Sequence, residues 1–233
     1  MSAGSLLVCN GIVYTPSTVI QDGAVLMRDG RIDKVGSRRE VARGDLETLD
    51  AEGNLICPGF IDLQVNGGGG AFLTEDADYE SVCTIARTHS SFGTTSLMPT
   101  VMSAHENKIC KALSAVSEAV HRGTGMASVT GSHLEGPFIN EKKRGIHEER
   151  YLLPPSIDRF SSFYEASEGT LRLLTLAPEL PKSLTVIELA PLTSAETQVL
   201  SERLLNLQPR SSSPWQLENL NQKSRLTFLV EGS

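Results

Sequence analysis

Residues 5–55 carry short bursts of apolar residues set between turn formers, and each burst has the length of a strand. Ser5-Leu6-Leu7-Val8-Cys9 leads into Asn10-Gly11, a strong signal for a two-residue hairpin turn, and Ile12-Val13-Tyr14 continues up to Thr15-Pro16. Ala24-Val25-Leu26-Met27 runs into a second such signal at Asp29-Gly30. Ile32-Asp33-Lys34-Val35-Gly36 then alternates as a half-buried strand does. These strands are too few and too short to bury a good core alone, so they predict a small β-rich portion that needs partners from elsewhere.

At Leu55 the pattern changes. Leu55 to Asn66 is a nearly continuous apolar run ending in polar groups, which reads as a buried parallel strand. Residues 78–91 read as a helix with Asp78 as N-cap, and 94–100 as a second short strand. Residues 103–121 form a long helical segment, with Ser103 and Glu106 spaced as a capping box and Gly123 as its stop. Met126 to Glu135 is a third strand, 156–166 a third helix capped by Ser156, and Leu171 to Ala177 a fourth strand closed by Pro178-Glu179. Strands alternating with helices at this spacing predict an α/β fold with a parallel sheet, either doubly wound or a (β/α) barrel.

The tail from Pro181 to Ser233 has a different texture. Thr193-Ser194-Ala195-Glu196 is a capping box, and Leu200, Leu204 and Leu207 follow at helical spacing. Pro209 stops that amphipathic helix, Ser211 to Pro214 is linker-like, and Leu226 to Val230 is a short strand or irregular. With the parallel pattern ending at the fourth strand, an open sheet edge is expected at Leu171–Ala177, and open edges invite self-association.

Composition narrows the function classes. The chain has 233 residues, a formal charge of −7 and 4 widely scattered cysteines. That acidic balance argues against non-specific nucleic-acid binding. Without a Cys-x-x-Cys pair, neither a cysteine zinc site nor a disulfide framework is suggested. No apolar run approaches membrane-spanning length and no secretory leader is evident, so the expectation is a cytoplasmic protein with no membrane partner.

Candidate chemistry gathers where strands end. His133 and Glu135 lie two apart, hence on one face of a strand, just before Gly136-Pro137. Glu135 reads as a buried acid, a metal ligand or a general base, with a solvated strand-end residue as the plain alternative. His133 is either part of the site or a hydrogen-bonded core histidine. Gln64 and Asn66 form a second strand-end pair, able to hydrogen-bond water or a polar substrate but poor as zinc ligands. Gly67 to Gly70 fit no phosphate-loop motif and read as a loop that lets backbone approach a ligand. Lys142, Lys143 and Arg144 could attract a phosphate or serve as plain surface charge.

Two of these segments, Pro58 to Gly68 and His133 to Ile139, followed by Lys143-Arg144-Gly145-Ile146-His147, together resemble the N-acetylglucosamine-6-phosphate deacetylase family of the amidohydrolase superfamily. The resemblance covers residues 5–180. It implies the first half of a TIM-type barrel at 57–180, a small β-sandwich portion at 1–56 and an unrelated tail at 181–233. It further implies metal-dependent hydrolysis of an N-acetyl group, giving glucosamine 6-phosphate and acetate in amino-sugar catabolism. Glu135 takes the place of the family's glutamate metal ligand, for one divalent ion, most readily zinc. Ile146 and His147 fall on its substrate-contacting segment. Gln64 and Asn66 stand where many amidohydrolases have a His-x-His metal pair, which counts against a dihydroorotase-like or cytosine-deaminase-like protein. The family also suggests a homo-oligomer.

The family's later GHS-like and THLFNAM-like histidine motifs and its TDA-like catalytic aspartate do not occur after Glu179, and the last histidine is His147. No catalytic residue is therefore assigned, and the metal is expected to be incompletely liganded. Residues 57–180 hold about four of the eight βα units of a closed barrel. The alternative reading is a truncated, catalytically incomplete isoform or fragment, as a splice variant or frame change would give, acting at most as a binding module.

Overall fold

In a computed structural model, residues 4–42, 44, 46–189 and 227–230 are described. They fall into two compact units, 1–59 and 60–233.

The first unit is built on one sheet of five strands: β1 (Ser5–Tyr14), β2 (Val19–Arg28), β3 (Arg31–Ser37), β4 (Glu47–Asp50) and β5 (Leu55–Ile56). β1 pairs antiparallel with β2, β2 antiparallel with β3, and β1 parallel with both β4 and β5. Asp29-Gly30 is the hairpin turn expected, with both residues in the left-handed region at φ 50° and 73°. Asn10-Gly11 is not a turn. β1 runs straight through it with shifts of register on either side of Gly11. Asn10, at φ 59°, donates its amide to Asp50 across the sheet at 2.6 Å. Leu7, Cys9, Ala24, Leu26 and Val41, the last from helix α1 (Arg38–Val41), form this unit's small core.

The apolar run expected as one strand over 55–66 is split between the units. Leu55–Ile56 pairs with β1, and a new strand β6 (Phe60–Val65) starts after Pro58-Gly59. β6 is also not the buried strand its composition predicts. It lies at the sheet edge, with Phe60 and Ile61 exposed and only Val65 buried.

The second unit is α/β with a parallel sheet, as the alternating pattern predicts. Its other strands are β9 (Thr94–Met102), β10 (Ser128–Val129), β11 (Ser132–Glu135), β12 (Leu171–Leu176) and β13 (Thr227–Val230); β7 (Gly67–Gly68) and β8 (Ala71–Phe72) make a separate short hairpin. β6 and β11 both pair parallel with β9, β12 pairs parallel with β11, and β13 pairs parallel with β12. The edge expected to be open at Leu171–Ala177 is therefore covered by Thr227–Val230. Between them stands α6 (Ser183–Leu189), while the tail helix expected at 193–207 lies outside the described residues.

α3 (Tyr79–Ser90), α4 (Glu106–Arg122) and α5 (Ile157–Ala166) connect these strands, with the short α2 (Leu73–Asp76) before them. Asp78 caps α3 by accepting the Ser81 N–H at 2.8 Å. α4 buries Ile109, Ala112, Leu113 and Val116, the i, i+3, i+4, i+7 face of an amphipathic helix, and stops at Gly123 in the left-handed region. The central strands bury Leu97, Val101, Leu134, Leu171, Leu174 and Leu176 against α3, α4 and α5, where Phe138 stacks obliquely on Phe163.

Pro99 sits inside the central strand β9, where a missing N–H should break the ladder. The neighbouring strand is interrupted there: β10 pairs with Ser96 and Leu97, and β11 resumes pairing only at Thr100. On the other side, the Val65 N–H donates to the Thr100 hydroxyl at 3.0 Å instead of to a carbonyl.

Leu134, fully buried and in register with Val101 and Leu174, probes this sheet. Leu134→Ala is expected to lower unfolding free energy by about 2–5 kcal/mol, read as a shift in urea midpoint at unchanged slope. A loss within measurement error would contradict the packing described.

Candidate active site

Each polar side chain of interest sits at the C-terminal end of a parallel strand or in the loop just beyond it, the edge where α/β folds place their sites. Glu135 ends β11, Gln64 is near the end of β6 with Asn66 directly after it, Thr175 is near the end of β12, and Ser103 follows β9. A cavity of about 210 Å³ at this edge is lined by Glu135, Thr175, Ile139 and the loop 143–147.

The loop is folded so that His147 turns inward. Asn140 accepts the Lys142 N–H and donates its amide to Glu179 at 2.7 Å, tying the start of the loop to the segment after β12. Arg144 accepts the His147 N–H at its carbonyl and donates its guanidinium to the His147 carbonyl at 2.6 Å. His147 is buried while its neighbour Ile146 is 82% exposed.

Glu135 is the hub. Its Oε1 accepts from Gln64 Nε2 at 3.0 Å, its Oε2 from Asn66 Nδ2 at 3.5 Å, and His147 Nε2 stands 3.8 Å from Oε1, an ion-pair spacing. His147, followed by Asn66, holds the Glu135 carboxyl below the usual carboxylate range, against burial, which alone would raise it. The site is thus organised around an ionised carboxylate facing an imidazole.

His133 does not line this cavity. It is fully buried, with Nδ1 3.2 Å from Thr100 Oγ1 and Nε2 2.8 Å from Thr175 Oγ1. Of the two readings open at the sequence level, the core histidine holds. Burial pushes its pKa down to about 4, so it is neutral at ordinary pH.

Ser103 was hidden by its own pattern. Ser103-x-x-Glu106 looks like a capping box, yet α4 begins at Glu106 with His105 as its N-cap residue. The Ser103 hydroxyl instead lies 2.8 Å from His147 Nδ1. Its place directly after a parallel strand, like that of Asn66, was the available signal.

A metal fits this set only in part. A hydrolytic zinc site usually has about three protein ligands. The described residues bring together one carboxylate and one imidazole here, and hold no group of three or more His, Cys, Asp or Glu side chains placed to bind an ion. The two carboxamides are weak donors to zinc. The described residues alone do not make a complete metal centre.

Glu135, from the end of a parallel strand, and His147, from the loop beyond it, line one cavity, and Gln64 and Asn66 reach the carboxylate from the end of β6. The particular likeness is to N-acetylglucosamine-6-phosphate deacetylases. The chain is 37% identical over 186 residues to the human enzyme of that name, covering 75% of this chain and 45% of the human one. It is 30% identical over 180 residues to the Bacillus subtilis enzyme, covering 76% and 45%. In three dimensions it superposes with a TM-score of 0.69 and 26% identity on a Mycobacterium smegmatis N-acetyl-D-glucosamine-6-phosphate deacetylase variant in complex with N-acetyl-D-glucosamine-6-phosphate, covering 80% and 46%. No family model matches the chain. The chain spans less than half the length of these relatives.

The neutral state of His133 has a consequence for stability. Its folded pKa of about 4 lies below the ordinary 6.5, so an unfolded chain takes up a proton that the folded one refuses. The stabilisation is complete above pH 6.5 and is lost as pH falls from there through 4, by roughly 3 kcal/mol in all. Urea unfolding at pH 7.5 and 4.5 should show a steeper loss for the unaltered chain than for His133→Gln, which cannot titrate. Equal losses would contradict the buried, neutral state.

Proposed function

We propose that the chain serves hydrolysis of the N-acetyl group of N-acetylglucosamine 6-phosphate, giving glucosamine 6-phosphate and acetate, and that residues 57–180 form the first part of a TIM-type barrel. The observation that carries this reading is the cavity in which Glu135 faces His147 beneath a rim containing Lys143 and Arg144. A sugar phosphate is polar at one end and anionic at the other. The imidazole and amides offer hydrogen bonds to the sugar and its amide, and the rim cations attract the phosphate. Ile146 and His147 are assigned to substrate contact. Gln64 and Asn66 hold the carboxylate oriented.

In this reading a divalent ion, zinc by resemblance, takes Glu135 as one ligand, and the described residues leave it under-coordinated. A cytoplasmic location and a homo-oligomeric state belong to the same reading. Among the described residues no helix is long and apolar enough to cross a membrane.

The test is a chimera in which residues 60–180 replace the matching segment of the Bacillus subtilis enzyme. It should release acetate from N-acetylglucosamine 6-phosphate. Glu135→Ala in the chimera should cut turnover by about 100-fold or more, the scale on which losing one electrostatic group of a reacting site acts. Glu135→Gln should be nearly as damaging, because it keeps the shape and loses the charge. A folded chimera that is inactive, or indifferent to Glu135, would sink the proposal.

Residues 1–233 alone are expected to release no acetate even with added zinc, because the described ligand set is short. Chelator-sensitive turnover by this chain would show that ligands lie outside the residues named here.

A further inference from the structure

Three observations meet at Ser103. Its hydroxyl lies 2.8 Å from His147 Nδ1, and both side chains are buried. The other ring nitrogen, Nε2, is turned to the Glu135 carboxylate 3.8 Å away. Gly136, directly after Glu135, has φ 86°, and a Cβ there would stand 2.3 Å from the Ser103 hydroxyl oxygen, so this glycine leaves the hydroxyl its room. His147 is therefore hydrogen-bonded at Nδ1 and faces a carboxylate, 3.8 Å away, at Nε2. A carboxylate only accepts, while a serine hydroxyl can donate as well as accept.

The geometry points to Ser103 as a positioning residue that donates its O–H to Nδ1 of His147 and so fixes the tautomer carrying hydrogen on Nε2, aimed at Glu135 and the cavity. The opposite tautomer would set a bare Nε2 lone pair against the carboxylate and leave Ser103 accepting. The assignment deepens the role proposed above for His147: a fixed Nε2–H is a donor of defined direction for a substrate oxygen. That use rests on the proposed function. The tautomer itself does not.

The test reads the ring nitrogens of His147 directly, by 15N-resolved NMR of the full chain at pH ~8.5, where imidazoles are ordinarily neutral. The unaltered chain should show one dominant tautomer with hydrogen on Nε2. In Ser103→Ala the two nitrogen shifts should draw together, as for a mixture of tautomers, without loss of the folded amide pattern. Ser103→Cys, close in size and a weak donor, should do the same if the alanine variant folds poorly. Ser103→Thr keeps a hydroxyl and should keep the tautomer. An Nδ1–H tautomer in the unaltered chain, or an unchanged one in the alanine and cysteine variants, overturns the inference. No substrate is present in this experiment, so its failure is distinguishable from failure of the proposed function.

Discussion

A line of buried hydrogen bonds crosses the parallel sheet just beneath the site, and the site depends on it. The Val65 N–H donates to the Thr100 hydroxyl, which meets His133 Nδ1, and His133 Nε2 meets the Thr175 hydroxyl. One imidazole and two hydroxyls thereby join β6, β9, β11 and β12 at one level. Beside Pro99, whose missing N–H interrupts the ladder, the Val65 N–H is satisfied by the Thr100 hydroxyl rather than by a carbonyl. Because Thr175 also lines the cavity, the spacing of the strand ends around Glu135 is set from below by a line of buried groups.

Above this line the polar groups are arranged by charge. Glu135 is largely withdrawn from water, and a carboxylate there is tolerated only if its oxygens are hydrogen-bonded or paired. Gln64 and Asn66 contribute donors without contributing charge, and His147 faces the remaining side. Two neutral amides orient the acid without cancelling it, so its full negative charge stays available to whatever enters the cavity.

Much of this was legible in the sequence because it rests on local rules. The alternating helices and strands, the Asp78 cap and the Gly123 stop all follow from patterns within one or two turns, as does the placement of Glu135 at a strand end. What was illegible depended on partners far along the chain. Composition makes Leu55 to Asn66 look like one buried strand, but only the fold reveals that its first residues pair with β1 and the rest make an exposed edge. Asn10-Gly11 carries a hairpin signal that the continued pairing of β1 with β2 on both sides of it overrides. Ser103 satisfies a capping rule that its bond to His147, 44 residues away, supersedes. His133 and Glu135 share strand and spacing, and only burial separates a neutral core group from an ionised site group.

The hydrogen-bond line also bears on the order in which the sheet assembles. Neighbouring strands β6, β9, β11 and β12 follow one another along the chain, so each can dock on its predecessor by closing one loop of moderate length, at modest entropic cost. The bonds through Thr100 and His133 are different, because they are complete only when all four strands are in register. Interactions formed that late are weak in the folding transition state. They act by holding the assembled sheet shut, so weakening them speeds its opening more than it slows its formation. A chevron plot of a Thr100 variant would display that asymmetry in its unfolding limb. The polar seam is in this sense a latch fastened after the hydrophobic core has found its place.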